Sequence, residues 1–280
     1  LWFKPAFADH PYGLPNKGST ETVKAITADD MRGFLGKALA RDRLTIGVVG
    51  DIPAAELGPL LDRTFGALPA STDIETPAQV SMQGGGTLKV VEKPIPQSQV
   101  IFGSMGLARS DPDWYAAYVL NYVLGGGGFT SRLTEEVREK RGLAYSVYSY
   151  LYPMDYTAIY MGGVGTQNTR VAEALAVIKA EIARTRDNGL TAEELANAKT
   201  YLNGSFPLRL TASGRIARLL LAIQRENLGI DYMDRRAGLI NAVTLEDIAR
   251  VAKRLLQPDN LLVVVVGKPD GLMGDKADKK

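Results

Sequence analysis

Hydrophobic and polar residues recur along this chain in two periods, one typical of helices and one typical of strands. Near the start, a segment of helical pattern from Thr27 to Ala40 is followed by the apolar run RLTIGVVG and by a second segment of helical pattern, AAELGPLLDRTFGAL. Thr27 is a suitable N-cap, because acidic residues follow it in the first helical turn. This part of the chain is therefore predicted to form a helix, a strand and a helix, in that order.

A longer series of predicted elements begins at Thr87. Two strand candidates, TLKVVEK and SQVIFGSMGL, precede the helical pattern DPDWYAAYVLNYVL, and the helical pattern TSRLTEEVREKRG precedes two more strand candidates, AYSVYSYLY and YTAIYMGGVGT. Helical patterns then dominate until a last strand candidate, NLLVVVVG. Strands that come in pairs, rather than in strict alternation with helices, favour an antiparallel or mixed sheet with helices on one face. The predicted fold class is α+β.

The chain contains an internal repeat. Thr27 begins a helical pattern that leads into an apolar run ending at Gly50, and Thr244 begins a similar pattern that leads into an apolar run ending at Gly267. Each glycine lies 23 residues after its threonine, and each threonine is followed three residues later by an aspartate. Matched spacing of this kind indicates two related lobes, of which the first lacks roughly 130 residues at its front.

The same pattern predicts where the lobes begin and end. Residues 69–86, PASTDIETPAQVSMQGGG, are rich in Pro, Ser, Thr and Gly and form the predicted linker. Residues 1–68 are then the tail of an N-terminal lobe whose front is missing, and residues 87–268 are a complete C-terminal lobe. The polar, glycine-containing residues 269–280 are predicted to be a flexible tail.

Composition excludes several functional classes. Lys and Arg number 33 and Asp and Glu number 31, and this near balance provides no general field for nucleic acid. The chain has no cysteine, so disulfides, thiolate metal ligands and cysteine nucleophiles are excluded. No apolar run approaches the length of about 18 residues that a membrane span needs. We expect a soluble protein, cytoplasmic or periplasmic in a bacterium.

Two other candidate sites in the sequence are better explained by structural roles. His10 is the single histidine of the chain, and one histidine without cysteine makes a complete zinc site improbable. We expect His10 to lie in a turn or at a helix end before Pro11. The run Gly125–Gly128 follows a helical pattern and lacks the lysine of a phosphate-binding loop, so it is predicted to be a flexible joint that allows close backbone approach. A nucleotide-binding protein that uses this run is the weaker alternative.

The segment SRLTEEVREKRGLAYSVYS contains the best candidates for chemistry. Arg138 lies late in a predicted helix and Tyr145 early in the next strand, with Gly142 as the predicted helix stop. The two side chains are therefore expected at the same end of adjoining elements, where a guanidinium and a phenol could donate to a carbonyl oxygen. Glu135 and Glu136 are expected on a solvated helix face, because neighbouring residues of a helix point about 100° apart.

These residues closely resemble a known family. GGGGFTSRLTEEVREKRGLAYSVYS is similar to the signature of the C-terminal domain in pitrilysin/insulysin-type metallopeptidases, the inverzincins, and Arg138 and Tyr145 match the arginine and tyrosine of that signature. HPYGLPNKGSTETVKAIT resembles the end of the family's N-terminal domain. PLRLTASGRIARLLL and AVTLEDIARVAKRLLQPDNLLVVVVGKP resemble the end of its second domain. The resemblance covers nearly the whole chain.

The resemblance implies a function that this chain does not complete alone. In the family, two homologous lobes enclose a peptide, the first lobe binds zinc through H-x-x-E-H and a distant Glu, and the second lobe supplies the arginine and tyrosine. By that resemblance, Arg138 and Tyr145 hold the substrate carbonyl near zinc. H-x-x-E-H is absent from these 280 residues, so we expect zinc in the complete enzyme and no zinc ligand in this chain. The expected partners are a peptide and either the missing N-terminal lobe or a zinc-bearing homologous subunit. The alternative is a non-catalytic interaction subunit with the same fold.

Overall fold

The computed structural model describes residues 1–272 and 275–276. Within them, contacts group the chain into two compact units: residues 1–14, 78–203, 236–272 and 275–276 form the first, and residues 15–77 and 204–235 form the second. This grouping differs from the predicted boundaries, because the first 14 residues belong with the sheet-containing unit. The α-helices are α1 Phe3–Ala6, α2 Thr20–Ala25, α3 Ala28–Ala38, α4 Ala54–Phe65, α5 Trp114–Asn121, α6 Val171–Asn188, α7 Ala192–Gly204, α8 Ser213–Arg225, α9 Tyr232–Asn241 and α10 Leu245–Leu255.

The first unit is built on a mixed sheet. Its strands lie in the order β3, β4, β2, β5, β1, β6. β1 runs parallel to β5 and to the short β6, whereas β2, β3, β4 and β5 pair in antiparallel fashion. The predicted α+β class with a mixed sheet is confirmed, and β3 is an edge strand. The strands are β1 Leu88–Glu92, β2 Gln97–Met105, β3 Ala144–Met154, β4 Thr157–Gln167, β5 Leu262–Gly267 and β6 Asp275–Lys276.

The two faces of this sheet are covered by different parts of the chain. The main core lies between one face and helices α5, α6, α7 and α10, and it includes Leu120, Ile178 and Ile248, which are fully buried. On the other face, Trp2 and Phe7 pack on Ile159 and Leu262. The Trp2 indole Nε1–H donates to the carbonyl oxygen of Leu262 at 3.0 Å. The N-terminal segment therefore serves as a cover for part of the sheet.

The second unit is helical and exposes much of its apolar surface. It contains α2, α3, α4 and α8, and α9 begins within it. Ala40 is the only buried residue between positions 15 and 77. Met31, Phe34 and Leu35 of α3 are more than half exposed. Nothing within this unit covers the apolar side of α3.

The internal repeat is present as a repeated helix start. The Thr27 hydroxyl oxygen accepts a hydrogen bond from the Asp30 backbone N–H at 3.1 Å. The Thr27 backbone N–H donates to the Asp30 carboxylate at 2.9 Å. Thr244 and Asp247 form the same capping box with the same two distances. The predicted N-cap at Thr27 is confirmed, and the two copies share local geometry as well as sequence.

The apolar runs that follow these two helices behave differently. The second run forms β5, which is paired on both sides and largely buried. The first run, RLTIGVVG, was predicted to be a strand, and that prediction is wrong, because residues 44–49 have no strand structure. A strand needs a neighbour for its backbone N–H and C=O groups, and no other described segment pairs with this run.

Two predicted α-helices contain π-helical segments. The helix that begins with α5 continues as a π-helix over Tyr122–Gly126, and TSRLTEEVREKRG forms a π-helix over Thr134–Glu139.

Of the predicted tail, residues 275–276 pair with β1, and residues 273–274 and 277–280 lie outside the described part of the chain. No helix of the described residues has the length and apolar character to cross a membrane.

Candidate functional site

Arg138 lies in the π-helical segment Thr134–Glu139. The backbone N–H of Lys140 donates to the carbonyl oxygen of Glu135, five residues earlier, at 2.9 Å. Thr134 and Val137 are buried and hold this turn against the core, so Arg138 is left at the surface side. Gly142 follows with φ +57°, which confirms it as the residue that ends the helical path. π-Helical turns of this kind occur frequently at functional sites.

Tyr145 lies in a β-bulge at the start of β3. Ala144 pairs with Thr166 and Ser146 pairs with Gly165, so Tyr145 is an extra residue without a partner of its own on β4. A bulge redirects the side chain of the extra residue away from the regular alternation. The Tyr145 ring is 80% exposed, whereas Ala144 is buried. The bulge therefore presents the phenol at the end of the strand.

The structure brings Arg138 and Tyr145 together and adds a third side chain, Phe129. The Arg138 Cζ atom lies 5.0 Å from the centroid of the Tyr145 ring and 4.6 Å from the centroid of the Phe129 ring. Cation–π attraction holds a guanidinium at such distances. The Nε atom also lies 3.3 Å from a carboxylate oxygen of Glu139. Two aromatic rings and one carboxylate thus restrain the Arg138 head, while its terminal nitrogens have no partner among residues 1–272.

The glycine run places Phe129 and supports β3. A Cβ atom at Gly125 would lie 2.3 Å from Ser149 Oγ and 2.7 Å from the Ser149 backbone nitrogen, so only glycine fits there. This confirms the predicted close backbone approach. Gly128 has φ +60° and turns the chain so that Phe129, 71% exposed, faces Arg138.

Asn121 completes the junction between this run and β3. Its side-chain nitrogen donates to the carbonyl oxygen of Ser149 at 3.2 Å, and its side-chain oxygen accepts from Ser149 Oγ at 2.8 Å. Both side chains are buried. The outer edge of β3 is therefore occupied at Ser149, and an added peptide strand could not pair there.

The acidic residues beside Arg138 are paired with cations. Glu136 bonds Lys140 at 2.8 Å and Arg141 at 2.7 Å, and Glu135 bonds Lys140 at 2.9 Å. Hydrogen bonds from Lys140 and then Arg141 lower the pKa of Glu136, so it stays ionised. Glu136 is thus partly buried and ion-paired, rather than a freely solvated residue. Its paired state favours a structural role.

A buried ion pair fixes the start of the same helical segment. Arg132 forms a two-point contact with Glu194, with Nε and Nη2 at 2.7 and 2.6 Å from the carboxylate oxygens, and its Nη1 donates to Thr185 at 3.0 Å. Burial raises the pKa of Glu194, but hydrogen bonds from Arg132 and Thr191 outweigh that effect and lower it. Sequence reasoning did not find Arg132, because a single arginine gives no sign that its partner lies 62 residues away.

His10 has structural partners. It caps a short helical turn, where its Nδ1 accepts from the backbone N–H of Tyr12 at 3.2 Å and its Nε2 lies 3.1 Å from the carbonyl oxygen of Ala78. The predicted turn position is confirmed. No three His, Cys, Asp or Glu side chains in residues 1–272 are placed to hold a metal ion. The described residues of this chain do not fit a zinc site.

The arrangement at Arg138 and Tyr145 suits recognition of a carbonyl oxygen. A guanidinium offers several N–H donors in one plane, and a phenol offers one O–H donor. The Tyr145 hydroxyl has no hydrogen-bond partner within residues 1–272. Donors that are held in place before a ligand arrives stabilise negative charge on oxygen without a reorganisation cost.

Comparisons with known proteins agree with this architecture. A sequence profile described as "Peptidase M16 inactive domain" matches residues 25–202. An uncharacterized zinc protease of Streptomyces coelicolor is 33% identical over 265 residues, which cover 91% of this chain and 57% of that protein. A Helicobacter pylori protein named as a non-peptidase homolog is 29% identical over 204 residues, 72% of this chain and 47% of its own length.

The solved structures agree in fold. The crystal structure of a peptidase M16 inactive domain from Pseudomonas fluorescens superposes with a TM-score of 0.87 at 28% identity, over 99% of this chain and 65% of that chain. A protease from Helicobacter pylori, at 20% identity, shares the fold with a TM-score of 0.81. The chain thus spans about 57% to 65% of the length of the relatives it matches first. On the profile match and the relatives at 30% identity or more, this chain belongs to the peptidase M16 family, in the part that contains the inactive domain.

Proposed function

We propose that this chain is the substrate-binding C-terminal portion of a zinc-dependent peptidase that hydrolyses peptide bonds. Arg138 and Tyr145 hold the substrate carbonyl, and the zinc near that carbonyl comes from a lobe outside this chain or from a partner. By itself the chain is inactive. The observation that supports this best is the guanidinium of Arg138 held between the rings of Tyr145 and Phe129 while its outer N–H groups stay open.

The two residues divide the task by their chemistry. Arg138 brings a permanent positive charge, so its attraction grows as negative charge develops on the carbonyl oxygen. Tyr145 brings one O–H donor on a rigid ring, and the bulge gives that ring its exposed position. Phe129 is a positioning residue, because it touches the face of the guanidinium and leaves the N–H edges free.

The exposed apolar side of α3 supports the need for a partner lobe. Met31 and Phe34 are 60% and 66% exposed. Contiguous apolar surface of this kind marks interaction sites in soluble proteins. In the proposal, the zinc-bearing lobe or subunit covers this surface of the second unit.

Kinetics of the zinc enzyme that contains this chain test the roles. Tyr145→Phe removes one hydroxyl and keeps the ring that contacts Arg138. Arg138→Lys keeps the charge and removes the planar set of donors. We expect kcat to fall about 10²- to 10³-fold in each variant with KM little changed, because the lost donors act mainly on the oxyanion. In the double variant, kcat should fall by less than the product of the two single decreases, because both donors bind the same oxygen.

Matched exposed residues serve as controls. Tyr201→Phe and Arg215→Lys make the same chemical changes at other exposed positions, and their kcat and KM should equal those of the wild type. Unchanged kinetics in both Tyr145→Phe and Arg138→Lys would rule out the assigned roles.

A non-catalytic interaction subunit with the same fold is the second candidate. It is favoured by the Helicobacter pylori relative that is named a non-peptidase homolog. This candidate predicts that the complete protein binds no stoichiometric zinc and cleaves no peptide, while a folded complex with a partner forms. Zinc analysis together with a peptide-cleavage assay decides between the two functions.

A further inference from the structure

β3 presents a row of tyrosines on one face, which we call the tyrosine ladder: Tyr148, Tyr150 and Tyr152. They are 43%, 38% and 41% exposed. The rings of Tyr148 and Tyr150 are stacked with centroids 6.1 Å apart, and the rings of Tyr150 and Tyr152 meet edge to face, also at 6.1 Å. The ladder is therefore a continuous aromatic surface that remains open to a ligand.

The neighbouring strand makes room for this surface. Tyr148 is paired with Gly163 of β4. A Cβ atom at Gly163 would lie 2.8 Å from the Tyr148 hydroxyl oxygen and 3.0 Å from Cζ. The Tyr148 ring can lie across Gly163 because glycine has no side chain there. Tyr150 is held by the same strand, since its hydroxyl donates to Met161 Sδ at 3.0 Å.

The ladder lacks charge. β3 and β4 together contain no Lys, Arg, Asp or Glu. Burial first, and then the neighbouring tyrosines, raise the pKa of Tyr150, so its ring stays neutral. A surface of this character favours apolar or aromatic groups over charged ones.

The spacing of the rings matches an extended peptide. In an extended chain, alternate side chains on one face lie about 6.6 Å apart, close to the ring spacing of the ladder. Tyr148 follows Tyr145 by three residues, a distance of less than about 10 Å along the strand, because the bulge shortens the path. A peptide whose carbonyl is bound at Arg138 and Tyr145 can therefore continue along β3 with one side chain on each ring.

Backbone pairing does not compete with this mode at the middle of β3. The Ser149 carbonyl is bonded to Asn121, and Gly125 packs against the Ser149 backbone. A peptide that follows β3 past this point is held by its side chains. Recognition along the ladder would consequently depend on which side chains the peptide has at alternate positions.

We propose that the tyrosine ladder is a specificity site that selects extended peptides with large apolar or aromatic side chains at alternate positions, on one side of the bound carbonyl. This inference rests on the proposed function, because the orientation of the peptide is set by Arg138 and Tyr145. The ladder itself binds side chains without zinc, so its contribution is measurable apart from catalysis.

Peptide binding to the full chain tests the ladder. Two peptides of equal length and charge, one with Phe and one with Ser at three alternate positions, are titrated and followed by fluorescence anisotropy. The Phe peptide should bind at least about 10-fold more tightly than the Ser peptide, since three aromatic contacts of about 2- to 10-fold each combine. Tyr148→Thr retains a residue suited to a strand and should weaken the Phe peptide about 3- to 10-fold without affecting the Ser peptide.

Gly163→Ala provides a second variant that leaves every tyrosine in place. The added Cβ meets the far end of the Tyr148 ring and the end of the Ile101 side chain, both of which can move, so we expect the fold to tolerate it while the ring is displaced. It should weaken the Phe peptide like Tyr148→Thr. Tyr201→Thr, on α7 and stacked on Tyr122, is the control and should change neither affinity.

Equal affinities for the two peptides, or an unchanged preference for Phe in both Tyr148→Thr and Gly163→Ala, would overturn the ladder proposal. This result is separate from the test of the catalytic pair, which uses turnover by Tyr145→Phe and Arg138→Lys. A preference that the ladder variants abolish, together with normal turnover in the pair variants, would keep the ladder and refute the assigned roles of the pair.

Discussion

Replacing Gly125 by alanine should test how the glycine run supports β3. The added Cβ would lie 2.3 Å from Ser149 Oγ, 2.7 Å from the Ser149 nitrogen and 2.9 Å from Leu133 Cδ1. The Ser149 nitrogen belongs to the backbone of a paired strand, so it cannot move aside alone. The junction must open, and the two hydrogen bonds between Asn121 and Ser149 must lengthen or break.

The size of the effect follows from these contacts. Overpacking of a core costs about 1–3 kcal/mol. Each of the two buried hydrogen bonds that is lost adds about 0.5–1.5 kcal/mol of destabilisation. The better helix propensity of alanine offsets at most about 1 kcal/mol of this total. We expect Gly125→Ala to lower the free energy of unfolding by about 2–4 kcal/mol.

Urea unfolding followed by circular dichroism measures this change. Gly36→Ala is the matched control, because Gly36 lies inside α3 with no atom within 4 Å of the added Cβ. That variant should be as stable as the wild type or more stable by up to about 1 kcal/mol. A midpoint for Gly125→Ala equal to that of the wild type would refute the contact between the glycine run and β3.

Three further predictions concern stability. Thr244→Ala should cost about 1 kcal/mol in urea unfolding, because α10 is packed in the core, whereas Thr27→Ala, in the identical capping box of the exposed α3, should cost less than half as much. Hydrogen bonds from the Thr244 backbone N–H, the Thr244 hydroxyl and Arg250 lower the pKa of Asp247 from 3.8 to about 2. The Asp247 carboxylate therefore stabilises the fold fully above about pH 4, and this stabilisation is lost as the pH falls toward 2. Asp247→Asn should flatten this acid dependence of the unfolding midpoint. Arg132→Met should cost about 1–3 kcal/mol, because it leaves the partly buried Glu194 carboxylate without its cation, and an unchanged midpoint in thermal unfolding would contradict the pair.

Much of the fold was predictable from local sequence patterns. The helix starts at Thr27 and Thr244 depend on residues within one turn, and the structure has both capping boxes. The strand predicted for RLTIGVVG, residues 43–50, does not form, because a strand needs a neighbouring strand and a local apolar run does not reveal one. β5 has an equally apolar run and forms a strand because β1 and β2 lie beside it.

The candidate site was predictable only in part. The spacing of Arg138 and Tyr145, with Gly142 between them, placed a cation and a phenol at the same end of adjoining elements, and the structure brings them into contact. The bulge at Tyr145 depends on the register between β3 and β4, which the sequence of β3 alone does not specify. Phe129 was missed because its contact with Arg138 arises from the turn at Gly128. The sequence feature that could have identified Phe129 is its position directly after the glycine run.

The central claim is that Arg138 and Tyr145 bind the carbonyl oxygen of a peptide. The most direct measurement is a crystal structure of the zinc enzyme that contains this chain, with a peptide analogue whose tetrahedral centre replaces the scissile carbonyl. The account predicts an analogue oxygen within about 3.2 Å of both an Arg138 guanidinium nitrogen and the Tyr145 hydroxyl oxygen. An analogue bound at zinc whose oxygen contacts neither side chain would contradict it.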